Sequence, residues 1–271
     1  MKISFIGGGN MATALIAGLA GKVAPAGDIH VVDPNAEALE KLRTQYGVTT
    51  APEIAAEVAA SEVIVLAVKP QQMRDVALRL QSQLDARPLV LSIAAGIRGT
   101  DLSRWLGGYG AIVRTMPNTP ALIGQGITGM VAMAGVSEAQ KAAADSILRA
   151  VGKTVWLESE ELIDPVTAVS GSGPAYVFFF LEAMQQAAVE MGLSAQQGRE
   201  LAIATFTGAA QLAAQSSEPA EVLRQRVTSK GGTTHAAIAS MEASGVKQAI
   251  VDAMKAAAAR GRELGEELGR G

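Results

Sequence analysis

Apolar positions along this chain fall into two regimes, and the change comes near residue 162. In the first regime, short near-continuous apolar runs recur at Ile3–Ile6, Ile29–Val32, Val63–Val68, Leu89–Ile93 and Ala111–Val113, with helical character between several of them. A run without polar alternation reads as a strand buried on both faces, and such strands separated by helices predict a parallel sheet covered on each side. Two later runs, Ile127–Met133 and Val155–Leu157, flank a helix predicted to begin near Ser137 and extend the same sheet. Beyond Leu162 the strands stop. Ala, Leu, Gln and Glu dominate, residues that lose little side-chain freedom in helices, and Gly, Ser and Pro punctuation predicts helices near 174–191, 195–215, 219–227, 234–243 and 246–268. The first of these is apolar on most faces around Tyr176–Leu181. It needs burial all round, which a second copy of the chain would supply. The expected fold class is α/β: a mostly parallel sheet domain over residues 1–161, then an all-helical domain over residues 162–271.

Composition agrees with that division. At 271 residues the chain exceeds the usual size of one domain, and 49% hydrophobic against 18% charged residues leaves enough apolar material for a core and a buried subunit contact. A formal net charge of −3 offers no basic surface for nucleic acid or an anionic membrane. The strongly apolar stretch at Tyr176–Leu181 falls far short of the roughly 20 residues that span a bilayer. With no cysteine there is no disulfide framework, thiolate nucleophile or zinc–cysteine site, and His30 and His235 lie too far apart in sequence to read as a metal motif. No metal, no nucleic acid and no membrane are therefore expected as partners. The opening MKISFIGGGN carries no charged leader with a cleavage site, so a cytoplasmic location is expected.

Chemistry-bearing residues follow the apolar runs. Ile3–Ile6 leads into Gly7-Gly8-Gly9-Asn10-Met11-Ala12, a G-x-G-x-x-A turn between a strand and a helix. The first glycine permits the turn, the second lets backbone approach a pyrophosphate, and the small third residue lets helix pack on strand, with the helix N-terminus facing the phosphate charge. A glycine-rich turn without a ligand is the bland alternative. Asp33 ends the second run about 20 residues further on, where a carboxylate can accept from ribose hydroxyls and repel a 2′-phosphate. It can equally cap the helix after Pro34. Ligands of parallel sheets sit beyond the carboxyl ends of the strands, which brings in Ala67-Val68-Lys69-Pro70, Ile93-Ala94-Ala95-Gly96 and the proline-stiffened Arg114–Pro120 with Asn118 and Thr119. Lys69 can meet a phosphate or stand in solvent, and the small Ala94 and Ala95 can admit a flat nicotinamide ring or merely pack. Gly171-Ser172-Gly173 lacks the strand, acid and histidine order of a nucleophile elbow.

Six motifs, GGGNMA, LAVKP, SIAAG, RTMPNTPAL, VSGSGPAYVF and VTSKGGTTHAAI, stand in the order and at about the separations found in pyrroline-5-carboxylate reductases, and the chain resembles that family over essentially its full length. The resemblance implies a Rossmann-like domain followed by a helical dimerisation domain, in a homodimer that can assemble into a larger ring of dimers. It implies that Gly7, Gly9, Asn10, Met11 and Ala12 form the pyrophosphate turn and that Asp33 and Pro34 meet the adenosine ribose. Ala67, Val68, Lys69 and Pro70 with Ala94 and Ala95 complete the cofactor wall. Ser229, Lys230, Gly231, Gly232, Thr233 and Thr234 resemble the substrate loop, where free N–H groups suit a carboxylate and the Thr234 hydroxyl reaches the ring nitrogen. The plain alternative is that Ser229 or Thr233 only caps a helix. Family members commonly use NADPH with a small hydroxyl or basic residue near the 2′-phosphate. This chain has Asp33 there and no Arg or Lys before Lys41, a departure that favours NADH while Asn35 and nearby N–H groups keep NADPH in play.

The implied reaction is hydride transfer from NADPH or NADH to the C=N carbon of pyrroline-5-carboxylate, giving L-proline. A protonated imine is already electrophilic, so the site needs alignment more than a strong acid or base, in keeping with few histidines and no cysteine. A 3-hydroxyacid dehydrogenase is the rival enzyme. It pairs a helical-domain lysine with an asparagine four residues later, whereas here Thr234 stands four residues after Lys230. A protein that senses NAD(P) without turnover is the non-enzymatic alternative.

Overall fold

The structure, a computed structural model, describes residues 1–270. Eight strands form one sheet: β1 (Ile3–Ile6), β2 (Ile29–Val32), β3 (Thr49–Ala51), β4 (Val63–Leu66), β5 (Leu89–Ser92), β6 (Ile112–Met116), β7 (Gly126–Ala132) and β8 (Gly152–Trp156). Their order is β3-β2-β1-β4-β5-β6-β7-β8, and every neighbouring pair is parallel except β6 with β7. The apolar runs explain the centre, because β1, β2, β4 and β5 are buried at every position. Helices α1 (Asn10–Leu19), α2 (Ala36–Tyr46), α3 (Ala56–Ala59), α4 (Met73–Leu80), α5 (Gly99–Trp105), α6 (Glu138–Arg149) and the short α7 (Ile163–Val166) accompany the strands.

Two apolar clusters form the core. One gathers Phe5, Leu15, Ile16, Val31, Val65 and Leu91 with Ile147 and Leu148 of α6. The other gathers Ile6, Ile64, Leu66 and Val90 with Met73 and Leu80 of α4 and Leu102 and Trp105 of α5. Alternate residues of one strand enter different clusters, as a pleated strand with helices on both faces requires. The chain builds β1, β2 and β3 outward in one direction and then returns to place β4 on the other side of β1. That reversal opens a crevice beyond the carboxyl ends of β1 and β4, the place where such sheets hold ligands.

The helical part contains α8 (Gly173–Glu190), α9 (Ala195–Gln215), α10 (Ala220–Arg226), α11 (Thr233–Ala243) and α12 (Val246–Gly269). By compactness the chain forms one unit from Met1–Ser172 together with the turns from Ala256 onward, and a second from Gly173–Lys255. Within the second, α8 packs on α9, yet Phe178 is 60% and Phe179 72% exposed and Ala188 is the one buried residue of α8. Helix α9 begins with a reciprocal capping box between Ser194 and Gln197, an N-terminal device that fixes where it starts. No helix of the described residues is long and apolar enough to cross a membrane.

Candidate active site

The glycine turn sits at the reversal point. Gly7 has φ +106°, a conformation that L side chains rarely adopt, and a Cβ on it would lie 2.7 Å from the Ala67 carbonyl oxygen. Its N–H donates to Val32 O (2.7 Å) while Ala67 N–H donates to Ile6 O (2.8 Å), so the turn is drawn against the ends of β2 and β4. Only a residue without Cβ permits that approach. Gly9 is extended, with φ −70° and ψ −176°, and is the N-cap of α1 without any side-chain cap. The first N–H groups of α1 therefore point out unmatched by a side chain, where the helix dipole favours an anion. A Cβ on Gly9 would find nothing within 4 Å; that glycine leaves room for a ligand.

Asp33 is committed on both oxygens. Oδ2 accepts the Gly8 N–H at 2.7 Å and Oδ1 accepts the Asn35 N–H at 2.8 Å. The helix cap belongs to Asn35, whose side chain accepts from Ala38 N at 3.1 Å. Asp33 thus ties the glycine turn to the β2 end, a tertiary role that neither sequence reading contained. Its remaining lone pairs stay available to a ribose hydroxyl, whereas the Asn35 carbonyl oxygen is engaged.

A groove of about 420 Å³ runs along this edge. Gly7, Gly9, Asp33, Pro34, Ala67, Val68 and Lys69 line it, seven of the residues expected from sequence to meet the cofactor. Asn10, Met11, Ala12, Pro70, Ala94 and Ala95 do not. Ala12 is buried in the first core cluster, where it packs helix on strand, and Asn10 is exposed at the start of α1. Ala94 is buried in the second cluster and Ala95 is exposed on the turn after β5. Sequence reading missed Ile54 and Arg79, which line the groove from the segment after β3 and from α4. No motif marks either one.

Asn118 has a bracing role. Its Oδ1 accepts from Ile127 N (2.9 Å) and its Nδ2 donates to Ser170 O (3.2 Å), while the residue is 9% exposed. Ser170 lies in a π-helical turn, Thr167–Gly171, and Arg114 on β6 pairs with Glu160 at 2.9 Å. His30 is also buried, on β2. Desolvation holds its imidazole below the ordinary histidine range, against a weaker opposing effect of Glu57. Among the described residues no group of His, Cys, Asp and Glu is placed to hold a metal.

The Ser229–Thr234 segment makes a tight turn into α11. Gly231 has φ +77°, Gly232 N–H donates to Ser229 O (3.0 Å), and Gly232 is the N-cap with no side-chain cap. Neither Ser229 nor Thr233 is therefore the cap of this helix. Thr233 and Thr234 stand exposed in the first turn of α11, and Ser229, Lys230 and Gly231 are exposed in the turn before it.

The glycine turn fits a dinucleotide on its own geometry, through an uncapped helix start, an open side at Gly9 and a groove bounded by an acid that orients the turn. Known proteins agree with both parts of the chain. Residues 2–96 match the family model for NADP oxidoreductases dependent on coenzyme F420, and residues 160–264 match the model for pyrroline-5-carboxylate reductase dimerisation. The chain is 47% identical to the pyrroline-5-carboxylate reductase of Pseudomonas aeruginosa, over 99% of this chain and 98% of that protein, and 40% identical to that of Escherichia coli over 93% and 94%. Among solved structures, the Coxiella burnetii pyrroline-5-carboxylate reductase superposes with TM-score 0.92 at 39% identity, covering 97% of this chain and 98% of that one. The Plasmodium falciparum pyrroline carboxylate reductase, solved with NADP bound, superposes at 0.87 with 27% identity over 98% of each. A 3-hydroxyisobutyrate dehydrogenase from Mycobacterium tuberculosis reaches only 0.51 at 18% identity, a likeness of fold alone. Identity this high across both the sheet and the helical part, joined to the two family models, shows that the chain belongs to the pyrroline-5-carboxylate reductase family.

Proposed function

We propose that the chain reduces pyrroline-5-carboxylate to L-proline with NADPH or NADH, the last step of proline formation. The observation that best supports the site is that Gly9 and Gly232, the two helix starts expected to meet anions, both lack a side-chain cap. The α1 start takes the pyrophosphate, and the Ser229–Thr234 turn takes the substrate carboxylate on the N–H groups of α11. Bound nicotinamide supplies the hydride. The chain's own task is alignment: the carboxylate, remote from the reacting carbon, anchors the ring, and the Thr234 hydroxyl hydrogen-bonds the ring nitrogen so that the imine carbon faces the hydride. No side-chain acid is needed once the imine is protonated. This assigns residues 1–161 to the dinucleotide and 162–271 to substrate and subunit contact, except that the turns from Ala256 onward belong to the sheet unit. Comparing NAD(P)H oxidation by pyrroline-5-carboxylate with NAD(P) reduction by 3-hydroxyisobutyrate tests the assignment. Turnover is expected only in the first assay, and turnover only in the second, or in neither, contradicts it.

Cofactor choice turns on Asp33. Lys69 and Arg79 line the same groove and can meet a 2′-phosphate, while Glu53 and Asp75 line it too and the Asp33 carboxylate opposes that phosphate. Asp33→Ser is expected to move the ratio of catalytic efficiencies toward NADPH by about tenfold, or ~1.4 kcal/mol. Because the substitution also removes the bond to Gly8 N, both efficiencies should fall. An equal fall with an unchanged ratio means that Asp33 orients the turn and selects nothing.

The helical unit is a homodimer interface in this reading, with larger rings built from dimers. Phe178, Phe179, Met191 and Leu212 are all 60–78% exposed on the single chain, more apolar surface than a helical unit of this size leaves to water. Sedimentation at micromolar concentration should give a dimer or a multiple of it. A stable and active monomer is the contrary result.

A further inference from the structure

The turn after β5 is held by the far end of the chain. Gly96 has φ +73°, and a Cβ there would lie 3.1 Å from Leu268 Cδ1 and 3.6 Å from Leu264 Cβ. Leu268 packs against the second core cluster, which contains Ala94 and Ile97 and which Val68 and Val76 of the groove wall also join. Arg98, two residues on, donates to Arg262 O (3.5 Å) and pairs with Glu266 (3.6 Å). Arg104 donates to Gly269 O (2.6 Å) at the carboxyl end of α12, where a helix has unmatched carbonyls and favours a cation. Glycines make the approach possible. A Cβ on Gly265 would stand 3.2 Å from Arg98 Nε, and one on Gly269 would collide with the Asp101 carboxylate. On its other side the same turn is tied by Gly99 N–H, which donates to Glu160 Oε1 at 2.5 Å.

We propose that the last turns of α12, through Leu264 and Leu268, are a positioning element for the nicotinamide end of the cofactor site. They hold the Ala94–Gly96 turn at the height at which a nicotinamide ring can lie against it. The proposal rests on the reading of Ala94 and Ala95 as cofactor wall. It makes the last turns of the chain part of the reductase's precision, although no reacting atom lies there. A displacement on the order of an ångström at the reacting centre can cost up to about a hundredfold in rate, so a small loss of packing at Leu268 should be visible in catalysis.

The experiment compares NADH with ADP-ribose, which keeps the pyrophosphate and adenosine but lacks the nicotinamide. In the full-length protein, Leu268→Ala is expected to weaken NADH binding by roughly tenfold and lower kcat, while ADP-ribose binding stays within about twofold and shows that the variant is folded. Leu268→Met should restore most of the loss. Equal weakening of both ligands, or none, overturns the proposal. Ala95→Val separates this outcome from a failure of the underlying reading. If Ala95→Val weakens NADH but Leu268→Ala does not, the wall stands and the positioning role falls. If Ala95→Val leaves NADH unaffected, the wall assignment fails and the proposal with it.

Discussion

Alanine at Gly9 is expected to cut NAD(P)H affinity about a hundredfold, or ~2.7 kcal/mol, while costing the fold at most about 1 kcal/mol, the difference between glycine and alanine as a helix cap. The asymmetry follows from geometry. Gly9 has an ordinary extended backbone, and a methyl in place of its hydrogen would have no neighbour within 4 Å, so the methyl meets nothing until a pyrophosphate occupies the uncapped end of α1. Gly7→Ala should behave differently. There the methyl meets the Ala67 carbonyl at 2.7 Å with φ at +106°, a conformation worth roughly 1–3 kcal/mol of strain before the clash is counted. Melting curves and cofactor titrations of the two variants check this directly: Gly7→Ala should lose stability and affinity together, Gly9→Ala affinity with little stability. Unchanged NAD(P)H binding in Gly9→Ala would remove the pyrophosphate from this turn.

Thr234→Ala is expected to lower kcat/KM with pyrroline-5-carboxylate by roughly tenfold to a hundredfold, the worth of one hydrogen bond to a charged group at about 1.5–3 kcal/mol. Because Gly232 caps α11 and Thr234 is exposed within its first turn, the exchange removes no cap, and alanine is the better helix former. Melting temperature and the NAD(P)H dissociation constant should both stay where they are. Thr234→Ser keeps donor and acceptor and should retain much of the activity. A lowered melting temperature with intact turnover would return Thr234 to a structural role and withdraw the substrate loop.

How much the sequence reveals follows from how local each signal is. The central strands are legible because β1, β2, β4 and β5 are buried on both faces and so carry apolar residues throughout. Strand β3, Thr49-Thr50-Ala51, is not: it is three residues long, at the sheet edge, and nowhere fully buried. Strand β8 begins at Gly152, three residues before the apolar trio that announces it, because its partly exposed edge position tolerates Lys153 and Thr154. The glycine turn is legible because its chemistry is that of the backbone. The bond of Asp33 to Gly8 depends on β1 and β2 lying side by side, and no pattern within either segment encodes it, whereas its bond to Asn35, two residues on, is local turn chemistry. Asn118 reads in sequence as a polar group offered to a ligand, and the fold engages both ends of its amide with Ile127 and Ser170 instead. The contact of Leu264 and Leu268 with Gly96 joins residues more than half the chain apart.

Deuterium placed on the transferring position of the nicotinamide tests the central claim most directly. The account predicts that proline formed from pyrroline-5-carboxylate carries the label on the ring carbon that had been doubly bonded to nitrogen, with NADPH and with NADH. Label in an open-chain alcohol, from hydride delivered to the ring-opened aldehyde, or an absence of labelled proline, would contradict it.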